Sequence, residues 1–333
     1  MKPLALAALL VFESAIFSSP VKADVQIKES YQTSGFMGIG ATTGKTVQKI
    51  KGSDSWVDSS QNLSGSMMSL VGGTQGPQRK IDLIHLGEQK RWILNPQSHT
   101  YAEAPLASKP PAPPPMKHIP VRLKGTSFKI VPAKARKIIH GFKTRLYNAT
   151  FTMKLENTTN KQISTFKVKM KIWVAPWTLT LRKAHREIES FNARYVKAAG
   201  IGSTGIGAQL QGLEMLKSIT HYNGATGTAL TQGITEFRKK MAELPGFPIE
   251  MNSDWYLSLP GQKPQASASS GFDASQLPAG MPAATKNLLQ GILKAANPNG
   301  ASPLMSMKTV VSSIKLAPLP QADFIIPADY KRK

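Results

Sequence analysis

Phe151-Thr152-Met153-Lys154-Leu155-Glu156 and Phe166-Lys167-Val168-Lys169-Met170-Lys171-Ile172 are the stretches whose reading decides the fold class. In both, apolar residues alternate strictly with polar ones. Successive side chains of a strand point to opposite faces, so this period of two predicts strands with one apolar and one wet face. The wet face of the second is a row of lysines. A sheet solvated on one side is an antiparallel sheet. The turn-forming stretch from Asn157 to Lys161 joins the two strands as a hairpin.

Upstream, residues 24–106 read as a meander of short strands. Val25 to Tyr31, Thr46 to Ile50, Met67 to Val71, Ile81 to Leu86, Arg91 to Leu94 and Thr100 to Glu103 are separated by turn residues such as Gly52, Gly72-Gly73, Gly87-Glu88 and Asn95-Pro96. Residues 107–120 hold Pro110, Pro111, Pro113, Pro114, Pro115 and Pro120. Such a run is stiff, extended and unable to join a sheet, so it links the meander to the strands of 121–178.

The pattern changes after Pro176. Leu179 to Ala199 has helical periodicity, with Leu181, Ile188, Phe191, Tyr195 and Val196 as its apolar stripe. It opens a helical and Gly-rich insertion over 179–247, with shorter helices expected at 208–219 and 234–244. Strands return in 248–333, at Ile249 to Leu259 and Met305 to Leu316. Between them 260–302 is a Ser-, Ala-, Gly- and Pro-rich insertion, with a short helix expected at Ala283 to Ala296.

At the N-terminus, Lys2, the apolar run Leu4 to Phe12 and the small-residue approach to Ala23 have the layout of a cleavable signal peptide over 1–23. The protein is therefore expected outside the cytoplasm. The chain holds no cysteine, which excludes disulfides, thiolate metal sites and cysteine nucleophiles. The formal charge is +23, and cleavage after Ala23 would remove Lys2, Lys22 and Glu13 and leave +22. Such a charge calls for an acidic partner. Outside the cytoplasm that is an anionic membrane surface or envelope polymer, and no nucleic acid is expected. Arg122, Lys124, Lys143 and Arg145, from a stretch without acid between Glu103 and Glu156, are the expected anion-facing residues together with Lys167, Lys169 and Lys171.

Several short motifs invite a sharper reading. Gly38 to Thr46 resembles a phosphate-binding loop, but the spacing of its glycines is wrong and a Gly-rich hairpin turn explains it. Gly200-Ile201-Gly202-Ser203-Thr204-Gly205 matches a dinucleotide fingerprint, but a helix precedes it where a strand is required. His185 and Glu189 lie one helical turn apart, yet no third metal ligand is near in sequence. No nucleophile with a base, and no acid pair, declares itself. The expectation is a protein that is not an enzyme and carries no catalytic residue, metal or cofactor.

Six pieces of the chain, in order, resemble an exported bacterial family of unknown function in the LolA-like lipoprotein-carrier superfamily. They are Tyr31 to Gly40, Ile50-Lys51-Gly52-Ser53, Asn95-Pro96 with Thr100-Tyr101, Ile139-His140-Gly141-Phe142-Lys143, Ile172-Trp173-Val174-Ala175-Pro176, and Phe324-Ile325-Ile326-Pro327-Ala328-Asp329-Tyr330. The resemblance implies an α+β fold: a curled antiparallel sheet, or half-barrel, with helices in or over its concave face. It also implies a periplasmic setting and an acyl-chain ligand in the concavity. Phe151, Met153, Phe166, Val168, Met170 and Ile172 are then the candidate lining of an apolar groove. The same six are ordinary core if the concavity is filled.

Overall fold

The computed structural model describes residues 24–34, 41–64, 77–106, 121–199, 235–237, 239–258 and 303–333. The strand expected at Met67 to Val71, the signal segment, the Pro-rich run, residues 38–40 of the first glycine motif, the glycine motif of 200–205 and the helices of 208–219 and 283–296 lie outside them. The described residues form twelve strands and one long helix. The strands are β1 (Val25–Thr33), β2 (Ala41–Lys51), β3 (Asp54–Ser64), β4 (Pro77–His85), β5 (Lys90–Asn95), β6 (Thr100–Ala104), β7 (Val121–Ile139), β8 (Phe142–Asn157), β9 (Ile163–Pro176), β10 (Gly246–Ser258), β11 (Met305–Leu316) and β12 (Lys331–Arg332). The helix is α1 (Leu179–Ala199).

All strands join one large, curled, unclosed sheet in the order β12-β6-β5-β4-β3-β2-β1-β11-β10-β9-β8-β7. Every pairing is antiparallel except the short parallel contact of β12 with β6. The expected hairpin is present: Phe151 stands opposite Val168 and Met153 opposite Phe166. Its turn is closed by the Lys161 amide donating to the Asn157 carbonyl. The edge strand β7 carries Pro132 beside a register shift, where a missing N–H and a broken ladder are tolerated.

Two strands of the N-terminal meander differ from the sequence reading. β2 begins at Ala41, so Gly44-Lys45-Thr46 lies within a strand and not in a Gly-rich turn. Gly44 is needed because the Tyr31 ring lies across it: a Cβ there would collide with the ring. Tyr31 reaches on to donate from its hydroxyl to Gln61 Oε1 at 3.3 Å. β3 was not expected at all, because Ser, Gln, Asn and Asp occupy both of its faces.

Residue by residue, the registers define two faces. The inner face carries Phe151, Val168, Trp255, Met305 and Tyr31. The outer face carries Lys167, Lys169 and Lys171. On the other half of the sheet the outer face is also apolar, with Trp56, Ile81, Leu83, Trp92 and Leu94. The C-terminal segment covers it, and Phe324 is the fully buried side chain at its centre. This strap is pinned by Lys51 Nζ donating to the Leu319 carbonyl at 2.6 Å, by Lys49 and Asp323 at 2.9 Å, and by His85 Nε2 bonded to the Phe324 carbonyl at 2.7 Å.

Below Glu250 and Val310 the sheet forks. β10 continues to Gly246 bonded to β9, while β11 continues to Leu316 bonded to β1. One extra residue on each strand, Ile249 and Ser312, marks the parting, and such bulges bend and twist a strand. α1 occupies the fork. Leu181, Ala184, Ile188 and Phe191 are buried in one cluster with Ala175, Phe247 and Ile249 from one leaf and Val25, Ile27, Ile50 and Val311 from the other. Thr178 Oγ1 caps the helix by accepting from the Leu181 amide at 3.1 Å.

A Cβ on Gly246 would strike the Ala175 carbonyl, which as backbone cannot swing aside, whereas the Tyr31 ring over Gly44 can. Gly246→Ala should therefore destabilise by about 2–3 kcal/mol and more than Gly44→Ala, read from urea unfolding midpoints. Phe324→Ala should cost about 3–5 kcal/mol. It should also shift tryptophan emission to the red as the strap frees Trp56 and Trp92.

Candidate functional site

The six groove candidates come together as expected. Phe151 and Met153 on β8, and Phe166, Val168, Met170 and Ile172 on β9, line adjacent rows of the inner face. None is more than 3% exposed. β10 extends the floor with Met251 and Trp255, whose Nε1 donates to Ser253 Oγ at 2.9 Å. Part of what covers the floor is the protein itself. Helical residues 235–237 and 239–241 follow the helix expected at 234–244, and the Phe237 ring stands 5.3 Å from Phe151 and 6.1 Å from Phe128.

On the outer face of the same strands, Lys167, Lys169 and Lys171 are all exposed. Lys169 lies 4.9 Å over the Tyr256 ring. Lys129 on β7 and Lys154 on β8 extend the field. Among the described residues none of these five has an ion pair.

The acids sit at the margins. At one end Glu156 is buried and meets Arg122 at 2.9 Å and Lys124 at 3.3 Å. The bond from Arg122 is the largest influence and lowers its carboxyl below the ordinary value. Arg122 and Lys124, expected to face an external anion, are thus shared with an internal one. At the other end Lys137 spans the Trp173 ring at 4.3 Å to reach Glu250 at 3.0 Å. Burial pushes the Glu250 carboxyl up, but the bonds from Lys137 and Asn252 outweigh it and leave it lowered. Lys143 is exposed, and Arg145 Nε donates to the Ala133 carbonyl at 3.3 Å. His185 packs against Trp177 and Phe247. Among the described residues no cluster of three metal-ligating side chains occurs.

Charged inner-face residues were missed, Glu29 among them. Glu29 continues the alternation of Val25, Ile27 and Tyr31, and that period alone places it inward. It stands opposite Thr46 on β2 and Val311 on β11, and neither supplies a charge. Burial raises its carboxyl from 4.5 to about 7. The inner face is therefore mixed: apolar on β8–β10, while on β1–β4 apolar Val25, Ile27, Ile50 and Ile84 share it with Glu29, Thr46, Gln48, Ser59, Gln61, Gln78 and the charged Lys80 and Asp82.

With these geometries in hand, comparison of the chain with family models, curated proteins and solved structures gives no match.

The Glu29 shift has a definite sign. Below pH 4.5 the carboxyl is protonated in both folded and unfolded chains and costs nothing. From 4.5 to about 7 the unfolded chain releases the proton while the folded chain holds it, so stability falls as pH rises. Above that window the whole penalty of about 3 kcal/mol stands. Glu29→Gln should remove it: urea midpoints of variant and parent should coincide at acid pH and diverge, with the variant more stable, above neutrality.

Proposed function

We propose that the protein is a non-catalytic, periplasmic lipid-binding protein of lipid- or lipoprotein-carrier type. A lipid or acyl chain would be held against the concave inner face, and the basic outer face would meet anionic membrane or envelope components. One observation carries this reading: the same strands, β8 and β9, present a continuous apolar floor on one side and unpaired lysines on the other. Apolar burial of a chain supplies affinity at roughly 25 cal/mol per Å². The cationic side supplies attraction to an anionic surface and no sequence or shape readout. The mixed inner face suits a ligand with an apolar tail and a polar head, and methionines at 153, 170, 251 and 305 adapt to irregular apolar shapes. The curled, unclosed sheet is compatible with the half-barrel that the LolA-like resemblance implies.

The seat of Phe237 on Phe128 and Phe151 favours a second reading. With the floor filled by its own helix, the fold would be an envelope scaffold that docks through its lysines on an acidic polymer or protein.

Native mass spectrometry of protein purified from periplasm without detergent separates the two. The carrier reading expects a stoichiometric lipid that leaves on denaturation. It also expects Phe237→Ala to take up a fluorescent fatty acid more tightly than the parent. A clean protein mass, unchanged after incubation with membranes, overturns it. In that case Phe237→Ala should lose about 3–5 kcal/mol of stability and bind no acyl probe.

A further inference from the structure

The tip of the β7–β8 hairpin carries a combination that neither packing nor solubility accounts for. His140 and Gly141 form its two-residue turn with φ of 46° and 85°. Next to the turn, Ile139 is buried against the cluster of α1. By alternation Ile138 must face the other way, and it is 69% exposed beside Lys143. On the same face Arg136 stands directly opposite Arg145. Like charges placed opposite each other destabilise a sheet. Here no carboxylate pairs with either arginine among the described residues.

Beside the tip lies a second exposed apolar residue of the same kind. Arg145 pairs with Val174, the last pair of that ladder, two residues before Pro176 ends β9. Three residues on, Leu179 opens α1 and is 71% exposed. Arg182, Lys183 and Arg186 share its side of the helix at helical spacing, and all are exposed. From residue 104 to residue 186 the chain holds one acid, Glu156. That acid lies at the far end of β8, on Arg122 and Lys124.

We propose that this corner, the β7–β8 tip with the start of α1, is a membrane-docking surface that inserts Ile138 and Leu179 into the interface of an anionic bilayer. The inference goes beyond the basic-face reading above: with Arg145 opposite Val174, the tip's Arg136, Ile138, Lys143 and Arg145 lie on the inner-row side of the sheet, away from the lysine ladder. Two features select a bilayer over an acidic polymer. A polymer would be satisfied by the cations alone, whereas two large apolar side chains ringed by Lys and Arg gain only where an apolar layer lies beneath an anionic surface. The Lys ladder of β9 alone, without exposed apolar residues between its lysines, offers charge without that second term.

The chain has no cysteine, so Ile138→Cys and Leu179→Cys can each carry a single environment-sensitive fluorophore on the full exported protein. Thr159→Cys, in the turn at the other end of β8, is the control. Phosphatidylcholine vesicles with and without phosphatidylglycerol are the probe. Labels at 138 and 179 should shift to the blue with the anionic vesicles only, and the label at 159 should not respond. Ile138→Ser with Leu179→Ser keeps every charge and, since both side chains are exposed, keeps the fold. It should bind anionic vesicles at least about tenfold more weakly. High salt should weaken the parent as well. A label at 138 or 179 that keeps its aqueous emission, or a double variant that binds like the parent, overturns the proposal. Lipid found by native mass spectrometry in the same preparations keeps the two questions apart. Lipid present without tip insertion sinks the docking corner and leaves the carrier reading standing. Insertion without bound lipid does the reverse.

Discussion

The parting of β10 from β11 is the constraint on which the rest of the molecule depends. A single sheet this wide cannot stay flat, because each strand twists against its neighbour. Here two one-residue bulges, at Ile249 and Ser312, release the ladder below Glu250 and Val310. The two leaves that result each have a free inner edge and an apolar end. Unpaired strand edges invite foreign pairing and must be covered. α1 covers both at once, and its four buried side chains hold the leaves in one cluster. Arg194 then ties its far end to the Gly52 carbonyl at 2.8 Å, and the Tyr195 hydroxyl donates to the Leu106 carbonyl at 2.7 Å. The helix thus fixes the relation between the β1–β6 half and the β7–β9 half, and with it the shape of the inner face.

How much of this could be read in the sequence follows from how local each signal is. β8 and β9 are legible because burial on one side and lysine on the other write a period of two into the chain. α1 and β11 are legible to the residue for the same reason, with Thr178 and Pro176 marking where the helix starts. β3 left no such trace. Ser55, Ser59 and Gln61 face inward and Asp58, Ser60 and Asn62 outward, so neither face is apolar enough to show a period. Its pairing with β2 and β4 decides it, and pairing is not local. The C-terminal strap is hidden in another way. Phe324-Ile325-Ile326 reads as an apolar end, but only the strands 220 to 270 residues earlier say that Phe324 fits between Leu83 and Leu94 on the outer face.

Of the candidate site, the floor was legible and its cover was not. Alternation placed six side chains on one face, and the structure brings them together. The seat of Phe237 depends on how the chain returns from α1 to β10, which no periodicity encodes. The cationic residues were likewise legible as a list, but not in their division of labour. Arg122, Lys124 and Lys137 answer to buried carboxylates, whereas Lys129, Lys154, Lys167, Lys169 and Lys171 do not. That division depends on cross-strand distance, a property of register.

The position of the acids gives that division a physical meaning. A buried carboxylate needs a cation beside it, or it shifts toward its neutral form. Glu156 and Glu250 are buried and paired, and their carboxyls lie low. Glu29 is half-buried with no ion pair among the described residues, and desolvation holds its carboxyl high. The sheet therefore uses its acids at the two ends of the β7–β9 field to fix strand ends against each other. The span between is left with like charges that repel. Nothing inside the fold requires that repulsion, since alternating polar residues such as Thr150, Thr152 and Asn148 on the neighbouring strand solvate the same face without charge. The cost is borne where an external anion could relieve it, and the same holds on the other face of the hairpin, where Arg136 stands opposite Arg145 beside the most exposed isoleucine of the described chain.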